Sequence, residues 1–63
     1  MKYSELIKLL KKSDCYFDHH GTRHDIWCNP NTNHSFTVPR HKHEVPAGTA
    51  RNILRDAGID YKL

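Results

Sequence analysis

The sequence has no long apolar run, no linker and only two cysteines, and each of these features limits the class of protein it can be. Its longest apolar run is far too short to cross a membrane, so we expect no transmembrane segment. The chain has 63 residues and contains no repeat, linker or low-complexity segment, so residues 1–63 are expected to form a single domain. The first five residues lead directly into a charged amphipathic segment rather than a signal peptide, so we expect a cytoplasmic protein.

The chain has two cysteines, Cys15 and Cys28. In the cytoplasm we expect both to be reduced thiols, although their spacing would also permit one disulfide. Structural zinc sites favour a C-x2-C pair with two histidines, and this chain has no C-x2-C. A nucleophilic cysteine needs a positive neighbour, and the sequence places none beside either thiol. We therefore predict no metal and no cofactor, and favour thiols packed in the core.

Positive charge exceeds negative charge in this chain. Ten Lys and Arg against seven Asp and Glu give a net charge of +3. Six histidines add positive charge as the pH falls through about 6.5. A positive surface attracts polyanions, of which nucleic acid is the commonest. Because so small a domain has little chain with which to enclose a cavity, we expect an exposed site and a large substrate that lies across the surface.

Two segments have the periodicity of helices that bury one face. In the first, Tyr3–Lys12, apolar residues fall at i, i+3, i+4 and i+7. Pro46 stands where the first residue of the second helix is favoured, and Gly58 stands where that helix is expected to end. The second apolar stripe consists of Ala47, Ala50, Ile53, Leu54 and Ala57.

Three short segments between the helices are typical of strands, namely residues 15–20, 24–28 and 35–38. The predicted fold class is therefore α+β, a small α-β-β-β-α domain. Such a chain most simply places both helices on one face of a three-stranded antiparallel sheet and leaves the other face open.

The turn between the first two strands is the tight segment Gly21–Arg23. We expect Gly21 to adopt a positive φ there. Ile26 and Trp27 have opposite parity on the second strand, so one faces the helices and the other faces the open side of the sheet. Trp27 suits stacking on an RNA base, but core packing is favoured for it.

The residues that suit chemistry best are histidines next to arginines and lysines. RNA carries its own nucleophile, the ribose 2′-OH, so a protein need only move two protons and stabilise the phosphate. Histidine suits proton transfer near neutral pH, and Arg and Lys suit phosphate charge. The sequence offers Arg23 beside His24, and then the run Arg40, His41, Lys42 and His43.

Four segments together resemble the HicA toxin family. Residues 21–24 (Gly-Thr-Arg-His) are similar to the G-[ST]-x-H turn of that family, and residues 38–41 (Val-Pro-Arg-His) to its V/M-P-R-H stretch. Residues 48–59 resemble its closing helix, G-T-x-x-x-I-L-x-x-A-G-[IL], and residues 4–6 match its first helix. The resemblance covers nearly the whole chain, with the segments in the same order.

This resemblance implies a fold like that of a double-stranded-RNA-binding domain. It also implies a ribonuclease that cleaves messenger RNA and arrests growth, and a partner antitoxin, HicB, that neutralises it. The active-site histidine of the family maps to His24. Many members have Ser-His or Ser-Asn where this chain has Thr22 and Arg23, so the hydroxyl is kept and a fixed cation is introduced.

The mechanistic hypothesis is that His24 acts as general base on the 2′-OH. Arg23, with Arg40 or Lys42, would stabilise the pentacoordinate phosphate. The second proton-transfer group is left open between His20, His41 and a water molecule.

Two other functions compete with this one. An RNA-binding module without catalysis is disfavoured because the start of the second helix, residues 46–49, lacks a lysine cluster. A zinc-stabilised interaction module would fold only with its metal, so a chelator would unfold it.

Overall fold

The predicted order of helices and strands is confirmed in a computed structural model of the chain, which describes residues 1–40 and 43–60. The elements are α1 (Tyr3–Lys12), β1 (Tyr16–His20), β2 (His24–Asn29), β3 (His34–Pro39) and α2 (Ala47–Asp56). The three strands form one antiparallel sheet in the order β1-β2-β3, which confirms the fold class. Pro46 precedes α2 as its N-cap residue instead of opening it, and Cys15 lies just before β1.

The core lies between the helices and one face of the sheet. It contains Leu6 and Leu10 of α1, and Trp27, Phe36 and Val38 of the sheet. The α2 residues Ala50, Ile53 and Leu54 also belong to it, and its remaining members are Cys15, Val45 and Ala57. This packing identifies Trp27, which is 5% exposed, as the core member of the Ile26–Trp27 pair.

The other face of the sheet carries no helix among the described residues. Exposure alternates along β2, so His24, Ile26 and Cys28 point away from the core. Thr37 of β3 pairs with Ile26 and shares this open face. His24 therefore lies on the open face, at one end of the sheet.

Within residues 1–40 and 43–60, no helix has the length and apolar character that crossing a membrane requires. Both described helices have ten residues.

The end of α2 confirms the predicted role of Gly58. Its φ is 77°, and its amide donates to the Arg55 carbonyl at 3.0 Å while the Ile59 amide donates to the Leu54 carbonyl at 2.9 Å. This pair of bonds is a Schellman motif, which satisfies carbonyls that the helix leaves without partners. Ile59 is thereby folded back onto the core.

We expect Gly58→Ala and Gly48→Ala to change stability in opposite directions. At Gly58 the positive φ costs a residue with a Cβ about 1–2 kcal/mol, and that Cβ would lie 3.3 Å from Thr32 Cγ2. Gly48 lies in the first turn of α2, and nothing beyond the helix's own backbone lies within 4 Å of an added Cβ, so alanine there gains about 0.4–1 kcal/mol. Urea unfolding of both variants beside wild type measures the two shifts. A urea midpoint of Gly58→Ala equal to that of wild type would contradict the role of the positive φ at Gly58.

Candidate active site

An open depression of about 380 Å³ lies on the open face of the sheet, at the hairpin between β1 and β2. Its lining consists of Gly21, Thr22, Arg23, His24, Ile26 and Thr37. His24, the first residue of β2, is exposed and stands beside the turn residues Thr22 and Arg23. The depression therefore combines an imidazole, a hydroxyl group and a guanidinium group at one solvent-accessible place.

The turn that holds His24 depends on Gly21, but for a different reason from the one predicted. The predicted positive φ at Gly21 is wrong, because among the described residues Gly58 is the glycine with a positive φ. The Gly21 amide instead donates to the His24 carbonyl at 2.8 Å, which closes the hairpin. A Cβ on Gly21 would lie 2.6 Å from that carbonyl oxygen. Glycine is required here by close backbone approach.

A second group of side chains gathers around Asp25, the residue after His24. Because strand side chains alternate, Asp25 points to the helix side of the sheet, where its side chain is 13% exposed. Its Oδ1 lies 2.8 Å from His20 Nδ1 and accepts a hydrogen bond from Arg40 Nε at 2.9 Å. The Arg40 Nη2 also donates to the Gly21 carbonyl at 2.8 Å. The Asp25 carboxylate thus joins His20, the last residue of β1, to Arg40, which directly follows β3.

These contacts keep Asp25 ionised. The hydrogen bond from His20 lowers the pKa of the Asp25 carboxyl below its usual value, and the bond and charge of Arg40 lower it further against the opposing effect of burial. Burial raises the pKa of the nearby Tyr3 hydroxyl, and the Asp25 charge raises it too. At neutral pH the group is therefore an anion between an imidazole and a guanidinium group.

The predicted site residues fall into two groups rather than one. His24, Arg23, Thr22 and Gly21 line the depression. His20 and Arg40 meet at Asp25 instead. His41 and Lys42 lie outside the described residues.

Asp25 is the functional candidate that the sequence reasoning missed. A signal was present, because Asp25 has the same parity on β2 as Trp27, so a charged residue occupies a core-facing position. A charge buried in that way needs a partner. The contact with one of these partners, His20, depends on a register shift in β1 that no sequence pattern indicates.

The two cysteines are free thiols. Cys15 is buried as predicted for a core thiol, and burial raises its pKa, which disfavours the reactive thiolate. Cys28 is half-buried on the open face, so the prediction of a core thiol is wrong for this residue. Within residues 1–40 and 43–60, no group of three or more His, Cys, Asp or Glu side chains is placed to hold a metal ion.

Comparison with protein families gives a match over nearly the whole chain. A family model described as HicA toxin of bacterial toxin-antitoxin matches residues 3–59, from the start of α1 to just past α2. Comparison with curated proteins and with solved structures gives no match. The matched range includes both the depression around His24 and the cluster around Asp25.

Proposed function

This chain belongs to the HicA toxin family of bacterial toxin–antitoxin systems, and from that membership we propose that it is an endoribonuclease that cleaves messenger RNA without a metal ion. The observation that carries the proposal is His24, an exposed imidazole in a depression that is also lined by Thr22 and Arg23. An open site of this kind suits a long polymer that lies across the sheet.

The proposed chemistry uses the 2′-OH of RNA as the nucleophile. His24 acts as general base and takes the proton from this hydroxyl group. O2′ then attacks phosphorus, the bond from phosphorus to O5′ breaks, and the products are a 2′,3′-cyclic phosphate and a 5′-OH. Arg23 stabilises the negative charge that builds up on the phosphate, and Arg40 or Lys42 is the further cation we assign to it.

Family membership implies an antitoxin partner, and we propose that this partner is a HicB-type antitoxin. An inhibitor of this enzyme would have to cover the open face, because RNA must reach His24 there. RNA and antitoxin are therefore expected to compete for the same surface.

The experiment that tests the function is incubation of the purified chain with a messenger RNA in EDTA. We expect cleavage, with 2′,3′-cyclic phosphate and 5′-OH at the new ends. Ends with 3′-OH and 5′-phosphate would contradict the mechanism, because they arise when water attacks phosphorus. RNA that is bound but left intact would identify a binding module and overturn the assignment as an enzyme.

A further inference from the structure

His20 lies beside Asp25 because of a bulge in β1. Tyr16 and Phe17 pair with Cys28 and Trp27, but the register then shifts so that His20 pairs with Asp25. In a regular antiparallel register, His20 would pair with His24 and would lie on the open face. The extra residue in β1 instead turns the His20 side chain to the helix side of the sheet, as bulges commonly re-aim a side chain.

The contact with Asp25 fixes which nitrogen of His20 carries a proton. An ionised carboxylate only accepts hydrogen bonds, so His20 Nδ1, at 2.8 Å from Oδ1, is the donor. Nδ1 keeps this proton in both the neutral and the charged imidazole, so gain and loss of a proton are confined to Nε2. The His20 side chain is 71% exposed, and the centroids of the His20 and Phe17 rings lie 4.8 Å apart. Asp25 therefore holds the His20 ring at Nδ1, while most of the side chain is exposed to solvent.

We propose that His20 is the second proton-transfer group of this enzyme, with Asp25 as the residue that positions it. The inference rests on the proposed ribonuclease function. His20 Nε2 gives its proton to O5′ as the bond from phosphorus to O5′ breaks, while His24 has taken the proton of the 2′-OH. His20 ends neutral and His24 ends protonated, and exchange with water restores both groups.

The position of the two histidines suits this division of roles. His20 is the last residue of β1 and His24 the first of β2, so both stand at the same end of the sheet, on opposite faces. In an in-line displacement the attacking and leaving oxygens lie on opposite sides of phosphorus. A base and an acid must therefore reach the phosphate from opposite sides, so the proposal places the scissile phosphate at the end of the sheet where His20 and His24 both stand, and not over the open face alone.

Arg40 supplies positive charge at the same place. Its Nε is held by Asp25 and its Nη2 by the Gly21 carbonyl, yet the side chain stays 46% exposed. A guanidinium group fixed in this way can bind a phosphate oxygen without first losing much side-chain freedom. Asp25 therefore orients both an acid and a phosphate ligand.

The competing interpretation is that Asp25, His20 and Arg40 only fasten the hairpin together. A purely structural cluster would affect the cleavage of any RNA substrate equally. A general acid, in contrast, is dispensable when the leaving group needs no proton. Sulfur in place of O5′ gives such a leaving group, because a thiolate departs readily without protonation.

The first test compares wild type with His20→Gln on two RNAs that differ only in O5′ or sulfur at a mapped cleavage site. We expect His20→Gln to cleave ordinary RNA about 10²-fold more slowly or worse, and to cleave the sulfur substrate at the wild-type rate. His24→Gln should not be rescued by sulfur, because the 2′-OH still needs a base. The matched control is His19→Gln, an exposed neighbour bonded to Asp18, which should cleave both RNAs at the wild-type rate.

The second test addresses Asp25 by nitrogen NMR of His20 in wild type and Asp25→Asn, at a pH where the ring is neutral. Wild type should show the proton on Nδ1, and the variant a mixture of both tautomers because an amide both donates and accepts. An unchanged tautomer would overturn the positioning role, since packing alone would then orient the ring.

The outcomes separate this inference from the proposed function. If wild type cleaves RNA and His20→Gln cleaves it equally well, or if sulfur gives no rescue, the inference is overturned and the ribonuclease assignment stands. If wild type does not cleave RNA, both are overturned.

Discussion

Cleavage of RNA by His24→Gln is expected to fall by about 10²- to 10⁴-fold, with the fold unchanged, because positioned general acid–base groups contribute that much. The His24 side chain is exposed on the open face, and no hydrogen bond to it is found within residues 1–40 and 43–60. Surface substitutions of that kind usually change stability by less than about 0.5 kcal/mol. Loss of activity in this variant would therefore reflect lost chemistry and not unfolding.

The measurement is the initial rate of RNA cleavage in EDTA, with circular dichroism and urea midpoints recorded on the same samples. His34→Gln is the matched control, because His34 is also an exposed histidine at the start of a strand but lies at the opposite end of the sheet. We expect the control to cleave like wild type. Equal rates for His24→Gln and wild type would exclude His24 as the general base.

Much of the fold follows from the sequence because its helices obey strong periodic rules. Leu6 and Leu10, at helical spacing, are fully buried, and the helix they belong to ends where the pattern ends. Gly58 takes the left-handed conformation that a helix end favours. Local rules are sufficient here, since each residue responds mainly to neighbours within one turn.

The arrangement at the site could be predicted only in part, because it depends on pairing between strands. His24 is singled out by the resemblance of residues 21–24 to the G-[ST]-x-H turn and by its neighbour Arg23. Alternation along β2 does not by itself assign a face to His24, because it requires only that Ile26 and Trp27 face opposite sides. The grouping of His20 with Asp25 depends on one extra residue in β1. A one-residue change in register transfers a side chain to the other face of a sheet, and composition carries no record of it.

Gly21 illustrates the same limit on a smaller scale. Glycine in a tight turn usually indicates a positive φ, and the sequence alone favours that explanation. The actual requirement is the 2.6 Å approach to the His24 carbonyl oxygen, which is a contact between two backbone segments. Such a contact is fixed by the hairpin geometry as a whole and not by the residue type at position 21.

That contact leads to the second large expected effect, a loss of RNA cleavage of about 10²-fold in Gly21→Ala, since displacements near 1 Å cost about that much in positioned catalysis. The new Cβ cannot remain 2.6 Å from the His24 carbonyl oxygen, so the 2.8 Å bond from the Gly21 amide must lengthen. His24 shifts with its backbone, and the Gly21 carbonyl moves away from Arg40. Both groups around the proposed phosphate are thereby displaced.

Stability also falls in Gly21→Ala, by about 1–3 kcal/mol as for other overpacked positions, so rates must be expressed per folded molecule. Gly58→Ala is the control that separates the two effects, because it strains the backbone at the end of α2 and leaves the hairpin intact. We expect Gly58→Ala to lose stability and keep its rate per folded molecule, whereas Gly21→Ala loses both. If Gly21→Ala retained the wild-type rate per folded molecule, the hairpin would tolerate displacement, and close positioning of His24 and Arg40 could not be the source of catalysis.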